Sequence, residues 1–207
     1  MACTCFMQMC NDAYPLVYIT ILRSHIKNLL NRVENLCMDP NMSKAQNIEE
    51  LKNCIKDHQN LIEFFNRISP LISVTVFIQF ITSASAMAMT LINLMIFAID
   101  FSARIASIFY FIAILTETFP LCYFAQMLMD DNNKLADTIF HSNWMGQDVA
   151  YTKMLLFFLQ RSQAMMELTA GKLVPITLNS FLGSAKFSFS LYTFVKQMDT
   201  KGKFGVH

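Results

Sequence analysis

Three charged side chains interrupt otherwise apolar stretches of this 207-residue sequence: Asp12, Glu117 and Lys186. A charge within an apolar helix is costly in lipid, so such residues usually pair, contact water or serve a function. Glu117 follows Arg104 by 13 residues, and Lys186 precedes Met198 by 12. Both charges therefore lie about 18–20 Å from the outer ends of their helices, which predicts an ion pair between Glu117 and Lys186. The alternative is that each charge reaches a hydrated crevice by itself.

Small and polar residues recur along the last apolar segment at Gly183, Ser190, Phe194 and Gln197. Intervals of seven, four and three residues place them on one side of a helix. In a membrane such a stripe is typical of a helix-packing seam, which the spacing alone favours. The stripe also fits one wall of a pore, with Phe194 or Met198 as a hydrophobic gate and Gln197 as a polar ring.

Metal-binding and catalytic patterns are weak. Cys54 and His58 lie four residues apart, with His25 and Cys37 upstream, but structural zinc sites have tighter pairs. A packed cysteine and a solvated histidine are the preferred interpretation, so we expect no metal and no cofactor. Serine-hydrolase, zinc-protease and phosphate-loop motifs are absent, which predicts no catalytic residues and no enzyme. A net charge of +1 gives no basis for nucleic-acid binding.

These residues are positioned by four long apolar segments. Only 15% of the residues are charged, against roughly 25% in soluble domains. The longest uncharged run, from Ile68 to Ile99, exceeds the roughly 20 residues that cross a bilayer core. Lipid offers no partner to unpaired backbone groups, so the segments must be helices. We predict an all-α membrane protein with four transmembrane helices, at residues 1–22, 68–98, 104–129 and 173–198.

The distribution of basic residues predicts the orientation. Residues 23–67 hold seven Lys or Arg and residues 130–172 hold four, whereas residues 99–104 hold one. The positive-inside rule places the two longer segments in the cytoplasm and the C-terminus outside, although lysines after the last span favour the opposite. A glycan on the sequon at Asn41 would reverse the orientation and favour a G-protein-coupled receptor topology.

The cytoplasmic segments have helical apolar spacing at 44–67 and 131–143, so we expect helices there. Residues 153–166 are apolar but too short to span. Gly171 and Pro175 predict a break before the last helix. The chain begins within an apolar stretch, which leads us to expect a preceding portion.

Several segments resemble the C-terminal half of insect odorant receptors. They are Phe119 to Phe124 (FPLCYF), Leu135 to Trp144 (LADTIFHSNW), Arg161 to Leu182 (RSQAMMELTAGKLVPITLNSFL) and Tyr192 to Met198 (YTFVKQM). Asp57-His58-Gln59 before a long span is also similar.

This resemblance implies a seven-helix bundle of which the chain holds spans four to seven. It implies a heterotetramer with a shared olfactory co-receptor, a central cation pore lined by residues 173–198, and a cytoplasmic anchor that includes residues 130–172. It also implies an odorant-gated channel in the plasma membrane of olfactory dendrites. Gate and filter residues would be Phe194, Gln197 and Met198, with Ser190 on the same stripe.

The resemblance further implies an apolar pocket for a volatile odorant in the outer half of the bundle. Candidate ligand-binding residues are Met7, Asn11, Ile105, Ile108 and Phe109. Ordinary helix packing is the alternative role for each of them. Alternative functions are a gustatory-type chemoreceptor, a truncated non-conducting subunit and a transporter fragment, and the last would require inverted repeats that the sequence lacks.

Overall fold

The computed structural model describes residues 2–39, 42–94, 100–164 and 166–204, without the side chains of residues 2–12 and 198–204. The predicted all-α fold is confirmed, since five helices hold most of the described residues and the two strands have two residues each. The elements are α1 (Ala2–Glu34), α2 (Lys44–Ile92), α3 (Phe101–His141), α4 (Val149–Ser162), β1 (Thr169–Ala170), β2 (Val174–Pro175) and α5 (Leu178–Phe204).

Two helices are longer than the apolar segments within them. The 49-residue α2 joins the charged stretch at 44–67 to the apolar stretch that begins at Ile68. At 1.5 Å per residue α2 is about 74 Å long, which is more than twice the roughly 30 Å of a bilayer core. The boundary predicted at Ile68 is therefore a change of composition along one helix. Helix α3 likewise continues from its apolar part to His141.

Helices α2 and α3 are long and apolar enough to cross a membrane, and α1 and α5 do not meet the same test of composition. Helix α5 carries Lys186, Gln197 and several serines, which lower its mean hydropathy. The spans at 1–22 and 173–198 stay predictions.

The chain divides into two compact units, of which unit 1 comprises Met1–Leu71 and Phe124–Leu168. Helix α1 contributes a buried stripe at intervals of three and four residues, the pattern of a helix that packs on one side. Its members are Ile19, Leu22, Ile26, Leu29 and Val33. Buried residues of α2, α3 and α4, among them Leu51, Leu135, Ile139 and Phe158, complete the core of the unit.

Two arginines of α1 hold unit 1 together through ion pairs. Arg23 Nε lies 2.7 Å from Asp131 Oδ2 of α3, and both side chains are largely buried. Arg32 donates to Glu50, at 2.8 Å, and to Asp57, both on α2. The hydrogen bonds that Arg32 donates to Glu50 raise the pKa of Arg32. Loss of one partner of a buried pair is destabilising, because the remaining charge stays uncompensated.

His58 is buried in unit 1, so the prediction of a solvated histidine is wrong. Its side chain is 2% exposed and packs edge-on against Phe158 of α4, with 5.4 Å between the ring centroids. Burial and the nearby Arg161 lower the pKa of His58 to about 4. Cys54 is buried as predicted, and burial raises its pKa to about 11. Within the described residues, no three His, Cys, Asp or Glu side chains are grouped to hold a metal.

Unit 2 comprises Ile72–Tyr123 and Thr169–His207 and contains the predicted break before the last helix. The break is confirmed, but it is a tight antiparallel hairpin of β1 and β2 rather than a simple bend. Gly171 and Lys172 at its tip have φ angles of 61° and 60°, a left-handed conformation that favours glycine. The paired positive φ angles are those of a type I′ turn.

The hairpin tip is bound to α2. Gly171 N donates to Ser73 O at 2.9 Å, and Lys172 N donates to Ser73 Oγ at 3.3 Å. A Cβ on Gly171 would lie 2.7 Å from the ring of Phe77. Only glycine therefore allows this close approach.

Helix α5 begins after the hairpin and packs against α2 at a second point. Thr177 caps the helix, since its Oγ1 accepts a hydrogen bond from Ser180 N at 3.3 Å. Ser188, which is fully buried, donates to Ala84 O of α2 at 3.1 Å. The side of α5 that carries Ser188 therefore packs against α2.

Substitution of Gly171 by alanine should lower stability through a left-handed backbone penalty and a clash with Phe77, together about 2–4 kcal/mol. The melting temperature of the detergent-solubilised protein should fall by about 5–10 °C. Gly146→Ala is the matched control, because Gly146 has φ of 83° but nothing within 4 Å of its added Cβ. An equal fall in melting temperature for both variants would contradict the close approach of Gly171 to Phe77.

Stability of unit 1 should fall as the pH is lowered from about 6.5 to 4. The pKa of His58 is depressed in the folded state to about 4, so the unfolded chain takes up the proton first. The expected loss at pH 5 is about 2 kcal/mol relative to pH 7.5, measured by thermal unfolding in detergent. His58→Leu should remove this difference, and His25→Gln, which changes an exposed histidine, should retain it. If the His58→Leu variant shows the same pH dependence, His58 is not the group that causes the loss of stability.

Candidate functional site

An open groove lies in unit 2 between the end of α2 and the beginning of α3. Its volume is about 590 Å³, within the usual range for small-molecule sites. At its polar part Asn93 Nδ2 donates to Ser107 Oγ at 3.1 Å, and Ser107 Oγ donates to Ala103 O at 2.9 Å. The lining residues are Ala86, Met89, Thr90, Ile92, Asn93, Ala106, Ser107 and Tyr110.

The groove combines apolar walls with a few hydrogen-bonding groups. Met89, Ile92 and two alanines offer dispersion contacts, and the amide of Asn93 supplies a donor and an acceptor. Tyr110 is 56% exposed and carries a hydroxyl that can donate or accept. This arrangement suits a small, mostly apolar molecule with one polar group.

The ligand-binding residues predicted on α3 lie beside the groove rather than in it. Ile105, Ile108 and Phe109 are exposed, and none of them lines the groove. Residues of one helix turn by about 100° per position, so their neighbours Ser107 and Tyr110 face α2 instead. Contact of the three predicted residues with a ligand stays a prediction.

Three further predicted residues, Met7, Asn11 and Asp12, belong to α1, and their side chains lie outside the described residues. Nothing in the structure therefore tests their roles as ligand-binding or intramembrane groups.

Sequence reasoning missed the groove residues Thr90, Asn93, Ser107 and Tyr110. One signal was present, because Asn93 is a polar residue near the end of the long uncharged run. Ser107 and Tyr110, three residues apart, share a helix face with each other. Pairing Asn93 with Ser107 needed the tertiary structure, since 14 residues separate them.

The predicted pore residues are on an exposed face of α5. Ser190 and Gln197 are exposed, and Phe194 is 60% exposed. No described atom lies within 4 Å of the position that a Cβ on Gly183 would take. The pore role of the stripe stays a prediction, as does the alternative of a packing seam. The side chain of Met198 lies outside the described residues, and its predicted role stays a prediction.

The two intramembrane charges of unit 2 are both exposed, Glu117 on α3 and Lys186 on α5. The predicted pair between them is not among the ion pairs of the described residues. Lys186 instead shares a shallow surface of α5 with Ser190 and Thr193. The pair between Glu117 and Lys186 stays a prediction.

Comparison with known proteins places the sequence in one family. The family model described as 7tm Odorant receptor matches residues 1–189. Odorant receptor 59b of Drosophila melanogaster is 38% identical over 194 residues, which is 94% of this chain and 48% of that receptor. Odorant receptor 42a of the same species is 37% identical over 203 residues, 98% of this chain and 50% of that receptor. The chain spans about half the length of the curated relatives it matches.

The fold is also similar to a solved insect receptor. The structure of the olfactory receptor OR5 from Machilis hrabei in complex with eugenol matches 90% of this chain and 47% of its own, with a TM-score of 0.75 and 16% identity. This likeness shows the fold, while the family model and the Drosophila relatives show the ancestry. The chain therefore belongs to the insect odorant receptor family.

Proposed function

We propose that this chain is the C-terminal half of an odorant-gated, non-selective cation channel subunit that works with an olfactory co-receptor in the plasma membrane of olfactory neurons. The observation that carries the proposal is the face of α5 that bears Ser190, Phe194 and Gln197. This face is exposed, while the opposite side of the helix is bound to α2.

The polarity of α5 supports its place at a pore. A helix surrounded by lipid is apolar on all sides, whereas one face of α5 exposes Lys186, Ser190 and Gln197. Its polar face therefore contacts water or another subunit. A symmetric ring of such helices would enclose an aqueous path, with Phe194 as a hydrophobic constriction and Gln197 as a polar ring.

The groove between α2 and α3 supports a second part of the proposal, the binding of a volatile molecule. Apolar burial would provide most of the affinity, and Asn93 or Tyr110 would recognise one polar group of the ligand. The Machilis hrabei receptor has a structure in complex with eugenol. We extend ligand binding to this chain as a proposal, without assigning the same ligand.

Helix α2 offers a physical route from the ligand to the pore. It lines the groove with residues Ala86 to Asn93, and it binds the hairpin and α5 through Ser73 and Ala84. A ligand that binds one position of α2 better than another would shift the equilibrium between closed and open channels. No chemical step and no cofactor is required.

A second candidate function is a non-conducting assembly subunit. The chain covers 48% of odorant receptor 59b, and a pore needs all the helices that hold its lining helix in place. A gustatory function is less favoured, because the matching family and the named relatives are odorant receptors. Expression with defined partner subunits would distinguish both of these functions from the proposed channel function.

Co-expression with the co-receptor in oocytes, with and without a restored N-terminal half, should give an odour-evoked cation current in the complete receptor. Phe194→Ala should raise the current without odorant several-fold, because a smaller side chain weakens the hydrophobic barrier. Gln197→Ala should alter relative cation permeability. Thr116→Ala, on an exposed part of α3, is the control. Unchanged currents in both α5 variants would exclude α5 as the pore helix.

Tyr110→Phe and Ser107→Ala should raise the half-maximal concentration of an activating alcohol or ester by roughly 3- to 10-fold, the effect of one lost hydrogen bond. The response to a hydrocarbon of the same length should stay the same. Ile105→Ala and Phe109→Ala provide the comparison. Larger effects from these two variants would favour the pocket predicted from sequence over the groove.

A further inference from the structure

The polar residues of α5 form a stripe that overlaps the one indicated by the sequence pattern and adds Lys186 and Thr193 to it. Lys186, Ser190, Thr193 and Gln197 follow one another at intervals of four, three and four residues. At about 100° per residue, they fall within an arc of about 60° on the helix. Lys186, Ser190 and Gln197 are exposed, and Thr193 is half-buried. We call these four residues the polar stripe.

The polar stripe faces away from α2. Ser188 is fully buried and bound to Ala84 O, and Tyr192 is 7% exposed. Ser188 lies about 140–180° from the members of the stripe, on the other side of the helix. The stripe is bordered by exposed apolar residues on both edges, which are Leu182 and Phe189 on one edge and Phe187 on the other. Apolar edges would pack against neighbouring subunits and leave the stripe facing a shared centre.

Lys186 has no ion pair or hydrogen bond among the described residues. A lysine in an apolar membrane layer costs several kcal/mol unless it reaches water or an acidic partner. The other members of the stripe are neutral and polar, and they offer no carboxylate. We therefore expect all four residues of the polar stripe to contact water.

We propose that Lys186 places a fixed positive charge in the aqueous path of the channel and lowers the permeability of divalent relative to monovalent cations. This inference rests on the proposed pore function of α5. A divalent ion meets twice the repulsion of a monovalent ion. One unit charge about 6 Å from the path, in water-like surroundings, changes the permeability ratio by about threefold.

The test is the reversal potential of the odour-evoked current in calcium and in sodium solutions, for the complete receptor that contains this chain and the co-receptor. Lys186→Gln should raise the calcium-to-sodium permeability ratio by about threefold, and Lys186→Glu should raise it further. Lys186→Arg should leave the ratio near its original value.

Lys196→Gln is the matched control, because it removes a lysine of the same helix outside the polar stripe. Lys196 lies over the ring of Tyr192, 5.9 Å from its centroid, and about 80° from Lys186 around the helix. The permeability ratio should stay unchanged in this variant. An equal rise in both glutamine variants would show a general surface-charge effect and would overturn the specific role of Lys186.

A second measurement does not depend on conduction. A charged, membrane-impermeant thiol reagent should modify Lys186→Cys and Ser190→Cys at the cell surface much faster than Tyr192→Cys, which tests contact with water. Unreactive Lys186→Cys in a receptor whose Ser190→Cys reacts would overturn the inference. The inference would also fail if the Lys186→Gln and Lys186→Glu variants conduct with an unchanged calcium-to-sodium permeability ratio.

The two levels of the proposal fail in different ways. No odour-evoked current from the unmodified complete receptor would refute the pore function and the selectivity role that rests on it. Loss of assembly in Lys186→Glu alone, with a normal ratio in Lys186→Gln, would instead place Lys186 against a carboxylate of a neighbouring subunit. That outcome too would overturn the selectivity role while leaving the pore function in place.

Discussion

Helix α5 is held against α2 by hydrogen bonds that end on two backbone carbonyls of α2. Gly171 N binds Ser73 O at the hairpin tip, and Ser188 Oγ binds Ala84 O along the helix. The two carbonyls are 11 residues apart, or about 16 Å along α2. Two attachment points at this separation fix both the tilt and the rotation of α5. The rotation determines which residues of α5 remain exposed, and the proposed pore surface depends on it.

Glycine at position 171 is the local condition for this attachment. The left-handed backbone allows a tight three-residue connection between the strands, and the missing side chain allows the tip to reach α2 beside Phe77. In a low-dielectric surrounding, hydrogen bonds to backbone carbonyls have no competition from water, although each contributes only about 1 kcal/mol. The hairpin matters more for the position of α5 than for stability, because it fixes the point at which the last helix begins.

Unit 1 is stabilised differently from the contact between α2 and α5. Its helices combine an apolar stripe on α1 with ion pairs from Arg23 and Arg32, and its core contains a neutral histidine. The long α2 and α3 belong to both units, so each helix changes from charged to apolar surroundings along its length. A single helix can therefore carry ion pairs in one unit and line an open groove in the other.

The sequence by itself determined the all-α class, the break near Gly171 and Pro175, and the shared helix face of Ser190, Phe194 and Gln197, because composition and helical spacing are local properties. The tertiary structure decided what depends on helix rotation and on distant contacts. It buried His58 against Phe158 and paired Asn93 with Ser107. Spacing shows which residues share a face of one helix, but only packing between helices decides what that face contacts.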